Sequence, residues 1–192
     1  RILGALYFIN NIDDKDLVAR SRRSLIGNSV LFLVFFLSFV IRTLLADGYA
    51  VKPETGEIFM EPYKYLTNFI EMPMVLVLFL IGVVLVLFGI GKSLLKPKFD
   101  KGIWFTGIGT VLAVLALLLV AGYNNTAYYP STSDLQSSLT LANSCSSEFT
   151  LRVMFYVSFL VPFVLAYIFY AWRSIDIHKI DEKEMKDGGH SY

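Results

Sequence analysis

The residues that build most metal and redox centres are nearly absent from this chain of 192 residues, which has one cysteine, Cys145, and two histidines, His178 and His190. A single cysteine cannot close an internal disulfide or hold a cysteine-based metal site or iron–sulfur cluster. With no histidine nearby, it reads as an ordinary loop thiol rather than a nucleophile. Both histidines follow the last long apolar run, so the spans offer no imidazole for a metal or a proton relay. Charge is scarce as well, with 17% Asp, Glu, Lys and Arg and a formal net charge of +1, which leaves no basic field for nucleic acid. No P-loop, no GxGxxG and no Ser-His-Asp set is present, so a soluble-type enzyme site is not expected. An initiator methionine and a signal-peptide pattern are also missing. Arg1 opens directly into ILGALYFI, too short to cross a membrane and too apolar for a solvated end. Residues 1–12 therefore read as the end of a truncated preceding transmembrane helix, and the chain as a C-terminal fragment.

What is present is apolar, with 55% hydrophobic residues and a mean hydropathy of +0.58. That balance predicts an all-α polytopic membrane protein. The run Val153–Trp172 is 20 residues long and free of charge, enough for a helix rising 1.5 Å per residue to cross a hydrocarbon layer of roughly 30 Å. Residues 13–192 are predicted to form a four-helix transmembrane domain, with spans at about 25–45, 72–90, 103–123 and 151–172 and an inside tail at 173–192. Pro162 predicts a kink in the last span, and Pro73 sits in the first turn of the second, where its missing donor is harmless. Gly82 and Gly89 share one face of the second span, while Gly109 and Ala113 have the small-xxx-small spacing in the third.

Lysine and arginine alternate from loop to loop. The segment DDKDLVARSRRS, the connection GKSLLKPKFDKG and the tail are rich in them and read as inside, whereas the loops after the first and third spans are poor. The spans then form an antiparallel bundle with a cytoplasmic C-terminus. On the opposite face, YAVKPETGEIFM predicts a small hairpin around Pro53–Gly56, and PYKYLTNFIE a short interfacial helix beginning at Pro62.

Few side chains in the spans invite chemistry. Met72, Met74 and Met154 lie near span ends and could serve as axial metal ligands, but methionine commonly fills gaps between helices. Aromatic residues run all round the last span, which fits lipid and bundle packing. Asn124–Thr126 is an N-x-T glycosylation acceptor pattern, which matters only in a glycosylating host. Arg42 is the one charge well inside a span. Either it snorkels to the nearby interface, or it pairs with Glu71, which precedes the second span at a similar depth. A cation suits the C-terminal end of one helix and an anion the N-terminal end of the next. We therefore take Arg42–Glu71 as a candidate structural ion pair, with no catalytic, cofactor-binding or metal-binding residue expected on this chain.

One loop and the span that follows it have more specific wording. Tyr129-Pro130, Ser137-Ser138-Leu139-Thr140, Asn143, Ser146-Ser147, Thr150-Leu151, Met154 and Pro162, with GALYFINN and PETGEIFMEPYKYL upstream, resemble subunit II of the cytochrome bd quinol oxidases. The resemblance covers essentially the whole chain. Cys145 departs from it, standing where the family usually has small polar residues. What the resemblance implies is part of a bacterial respiratory oxidase that oxidises a membrane quinol and reduces O₂ to water. Haem b and haem d would then belong to a partner, subunit I, and this chain would be a non-haem-ligating structural and assembly element of the inner membrane. Its expected partners are subunit I, the missing N-terminal half, membrane lipid and quinone. A fragment of a secondary transporter is the alternative, for which mid-membrane helix breaks with polar groups would be expected.

Overall fold

The computed structural model describes residues 1–175. The expected tail at 173–192, including His178 and His190, lies outside the described residues except for 173–175, which continue the last helix. The architecture is helical: α1 (Ile2–Asn11), α2 (Lys15–Leu45), α3 (Lys64–Glu71), α4 (Pro73–Leu95), α5 (Gly102–Gly122), a four-residue α6 (Leu141–Ser144), α7 (Glu148–Ser158) and α8 (Val161–Ile175). One antiparallel hairpin, β1 (Gly48–Val51) with β2 (Ile58–Glu61), interrupts it, in the register Gly48↔Glu61 to Val51↔Ile58. Four helical segments are long and apolar enough to cross a membrane: Lys15–Leu45, Pro73–Leu95, Gly102–Gly122 and Glu148–Ser174.

The basic segment before the first span is helix, not loop. Asp14 caps α2 by accepting from the Leu17 amide at 2.7 Å, and the following Lys, Leu, Ala and Arg residues are good helix formers with no glycine or proline among them until Gly27. The same residues that mark the basic end of the bundle thus also extend its first long helix, to 31 residues. Likewise α4 runs past the expected boundary to Leu95 and stops where Lys96 precedes Pro97. The short interfacial helix begins at Lys64, two residues later than expected, after Tyr63 adopts a left-handed φ of 54°. Only Met72 separates it from α4.

The tightest packing is between α4 and α5, and small residues make it so. A Cβ on Gly82 would stand 2.6 Å from the Ala113 nitrogen, and one on Gly109 would stand 2.6 Å from the Gly82 carbonyl oxygen. Near the other end, Gly102 and Gly89 have the same role against Ser93 and Thr106. The two small-residue faces read from the sequence are therefore the two sides of one contact. Above it, Phe69, Phe79, Ala113, Ala116 and Val120 form a buried cluster, with Phe36 of α2 stacked on Phe79 at 6.4 Å. At the opposite end, Ala5, Leu6 and Ile9 of α1 bury against Leu25.

The last span is broken, as Pro162 requires. Its ring nitrogen cannot donate to Ser158, and the helix passes through tighter bonds instead: Phe159 N to Tyr156 O at 3.2 Å and Leu160 N to Val157 O at 2.9 Å. None of its most apolar stretch is buried within the described residues. A ring contact between Trp172 and Tyr7 of α1, at 6.3 Å, joins its far end to the bundle.

Candidate functional site: a polar cap over the helix ends

The hairpin, α3 and the long loop 123–147 gather at one end of the bundle and close it. Asn68 stands at the centre, completely buried on α3. Its amide nitrogen donates to the Val120 carbonyl and to the Thr126 hydroxyl, each at 2.8 Å. Its oxygen accepts from Asn124 Nδ2 at 3.0 Å. Val120 is in the last turn of α5, where carbonyls have no partner in their own helix, so Asn68 supplies from another element the cap that α5 lacks. Asn124 and Asn125 turn the chain here with φ of 57° and 52°, a conformation that asparagine tolerates better than most residues.

After that turn the loop joins the hairpin. Val51 N donates to Asn125 O and Ala127 N to Tyr49 O, both at 2.8 Å, so the loop acts as a short third strand beside β1. On the other edge, the side chain of Gln136 copies a strand: Ile58 N donates to its Oε1 at 2.9 Å and its Nε2 donates to Ile58 O at 2.8 Å. Ser138, Thr140 and Asn143 shape the rest. Ser138 Oγ accepts from Ser131 N at 3.0 Å, and Thr140 and Asn143 form a reciprocal capping box on α6. Three of the residues that carry the family resemblance are thus the ones that hold the loop's shape. Beneath β1, Lys64 is nearly buried and pairs with Glu61 at 3.1 Å. Burial, and secondarily the nearby Tyr49, hold the Tyr65 hydroxyl above its ordinary pKa of 10.0.

The structure does not bring Arg42 and Glu71 together. Ion pairs among the described residues are Lys52–Glu57, Lys64–Glu61 and Arg152–Glu148. Glu71 is the last residue of α3 rather than a lead-in to α4, and its carboxylate accepts from Asn124 Nδ2 instead. Arg42 lies exposed in the last turn of α2, where its charge suits the helix pole. Sequence reading missed Asn68 and Asn124. The only available signal was a polar residue in an otherwise amphipathic helix, together with an Asn-Asn pair directly after a span.

This arrangement of neutral amides and hydroxyls can fix backbone positions, but it pairs no nucleophile with a base. Met74 and Met154 are 82% and 60% exposed on separate helices, and among the described residues no three His, Cys, Asp or Glu side chains gather.

Fold and cap together define a multi-pass, mostly helical membrane protein of the all-α class with a tied polar cap on one face. The chain belongs to the cytochrome bd terminal oxidase subunit II family, whose model matches residues 1–175. Among its relatives is the cytochrome bd-I ubiquinol oxidase subunit 2 of Escherichia coli (strain K12), 29% identical across 76% of this chain. The protein of the same name from Escherichia coli O157:H7 matches to the same extent. The chain spans 40% of the length of these relatives.

Proposed function

We propose that the chain is part of subunit II of a respiratory terminal oxidase that oxidises a membrane quinol and reduces O₂ to water. In this reading haem b and haem d are carried by a partner, subunit I. The present chain supplies helices and a rigid cap that hold the complex together in a bacterial cytoplasmic membrane. The observation that carries the reading is the family match over all described residues. No histidine stands in α2, α4, α5 or α7–α8, which suits that division of labour. The basic end of the bundle faces the cytoplasm, where lysine and arginine concentrate.

Deleting the gene that encodes the chain tests this directly. Quinol-driven O₂ consumption by isolated membranes is expected to vanish and to return when the full gene is restored. Unchanged consumption, with loss of a solute flux instead, would overturn the oxidase reading in favour of a transporter.

A further inference from the structure

The short helix α3 carries its polarity inside out. Lys64 and Asn68, the residues expected to seek water, are the buried ones at 6% and 0% exposure. Leu66 and Ile70, one turn apart on the opposite side, are exposed, with the N-cap residue Tyr63 beside them. A helix lying over a bundle and facing water shows the reverse pattern. Glu71, at the edge of this face, directs its carboxylate to Asn124 on the polar side. The helix also sits low on the bundle. The Phe69 ring packs on Phe79 at 5.3 Å, and Phe79 is six residues into α4, about 9 Å along the axis at 1.5 Å per residue. Val40 and Leu44 of α2 join the same cluster. α3 is therefore set down among the turns of α2 and α4 nearest the cap rather than held above them.

What covers the outward face follows from the surface it continues. Only Met72 separates α3 from α4, a helix long and apolar enough to cross the membrane. Met74, Val77, Ile81 and Val84 recur at three- and four-residue spacing on α4 and are all exposed, Met74 at 82%. These residues are large and apolar, and the glycine at this end of α4, Gly82, is turned to α5 instead. Close helix partners in a membrane meet through small or hydrogen-bonding residues, whereas hydrocarbon asks for neither.

We propose that α3 is seated in lipid, its outward face covered by phospholipid acyl chains of the leaflet at the cap end of the bundle. Leu66 and Ile70 enter the hydrocarbon, and Tyr63 stands at headgroup level, where an amphipathic ring is favoured. The polar side of the same helix ties the loop after α5 through Asn68. Lipid thus holds α3 from one side and the cap holds it from the other, which fixes the level of the cap against the bilayer.

The test uses the complete purified complex in nanodiscs of phosphatidylethanolamine and phosphatidylglycerol, with Cys145→Ser as the background. A nitroxide is attached in turn through Leu66→Cys, Ile70→Cys, Val84→Cys and Glu54→Cys, and the signal of the Cys145→Ser complex alone is subtracted. EPR power saturation reads collisions with oxygen, which concentrates in hydrocarbon, and with a water-soluble nickel chelate. Oxygen is expected to dominate at Leu66→Cys and Ile70→Cys, as it does at Val84→Cys within the α4 span, and the chelate at Glu54→Cys on the exposed hairpin turn. Dominance of the chelate at both α3 positions would put this face in water and overturn the proposal. Loss of both kinds of collision there, with Val84→Cys still open to oxygen, would mean that a protein partner covers the face, and would overturn it equally. Should the cysteine variants not assemble, the unsubstituted complex carries the test with a phospholipid bearing a diazirine on its acyl chain. Light is expected to attach that lipid to residues 63–70 as well as to α4, and label on α4 alone would contradict the proposal.

Discussion

Replacing Asn68 with alanine is expected to destabilise the protein by about 2–5 kcal/mol, the range for leaving two buried partners unsatisfied. The side chain makes three hydrogen bonds, to Val120, Thr126 and Asn124, and is wholly out of solvent. Without it the Val120 carbonyl loses the cap it receives from α3, and Asn124 retains only Glu71. Asn68→Asp should be no milder. It keeps the shape but removes both donations and aims a carboxylate at a carbonyl oxygen, with Glu71 nearby on the same helix. The unfolding temperature of the purified protein measures the loss, and amide exchange at residues 123–127 locates it. Wild-type exchange at those positions in Asn68→Ala would show that the loop is held by other contacts.

A second large effect is expected where α4 meets α5. Any side chain at Gly109 must put its Cβ 2.6 Å from the Gly82 carbonyl oxygen and 2.8 Å from the backbone nitrogen of Val86. Backbone cannot move aside as a flexible side chain can, so the helices must separate. Gly109→Ala is expected to cost about 1–3 kcal/mol, the usual penalty for overpacking. Gly109→Val should abolish folded protein. Gly107, two residues away on the same helix, is the control, because nothing lies within 4 Å of a Cβ built there. Gly107→Ala should be neutral or stabilising by up to about 1 kcal/mol, from helix propensity alone. The yield of monodisperse protein and the unfolding temperature of each variant are the readouts. Similar behaviour of Gly107→Ala and Gly109→Ala would mean that the helices do not approach as described.

These two sites also differ in how legible they were. The α4–α5 contact could be read from the sequence because small residues recur on one face of each span, a periodicity that survives without knowing the partner. Asn68 could not be found that way. Its partners are more than fifty residues downstream, and Asn124–Thr126 looked like a glycosylation pattern rather than the other half of a buried network. Arg42 and Glu71 form no ion pair among the described residues, and geometry gives the reason. Matching depth along the membrane normal says nothing about rotation around a helix axis, and α3, with Glu71 turned toward Asn124, decided the partner. The boundaries of α2 and α4 shifted because lysine and arginine both mark topology and favour helix, so composition alone cannot say where a helix leaves the membrane. Arg152 fell inside the expected 151–172 span, yet it pairs one turn back with Glu148 at 2.5 Å, at the start of α7 where water can reach both.

We propose a subunit that belongs to a haem oxidase but holds no haem itself, and haem content tests this most directly. The full-length subunit, expressed with and without its partner and purified from each membrane, would be assayed by visible absorption and pyridine haemochrome. Haem is expected only in the co-purified complex, with none on the separated subunit. Stoichiometric haem on the separated subunit would contradict the account.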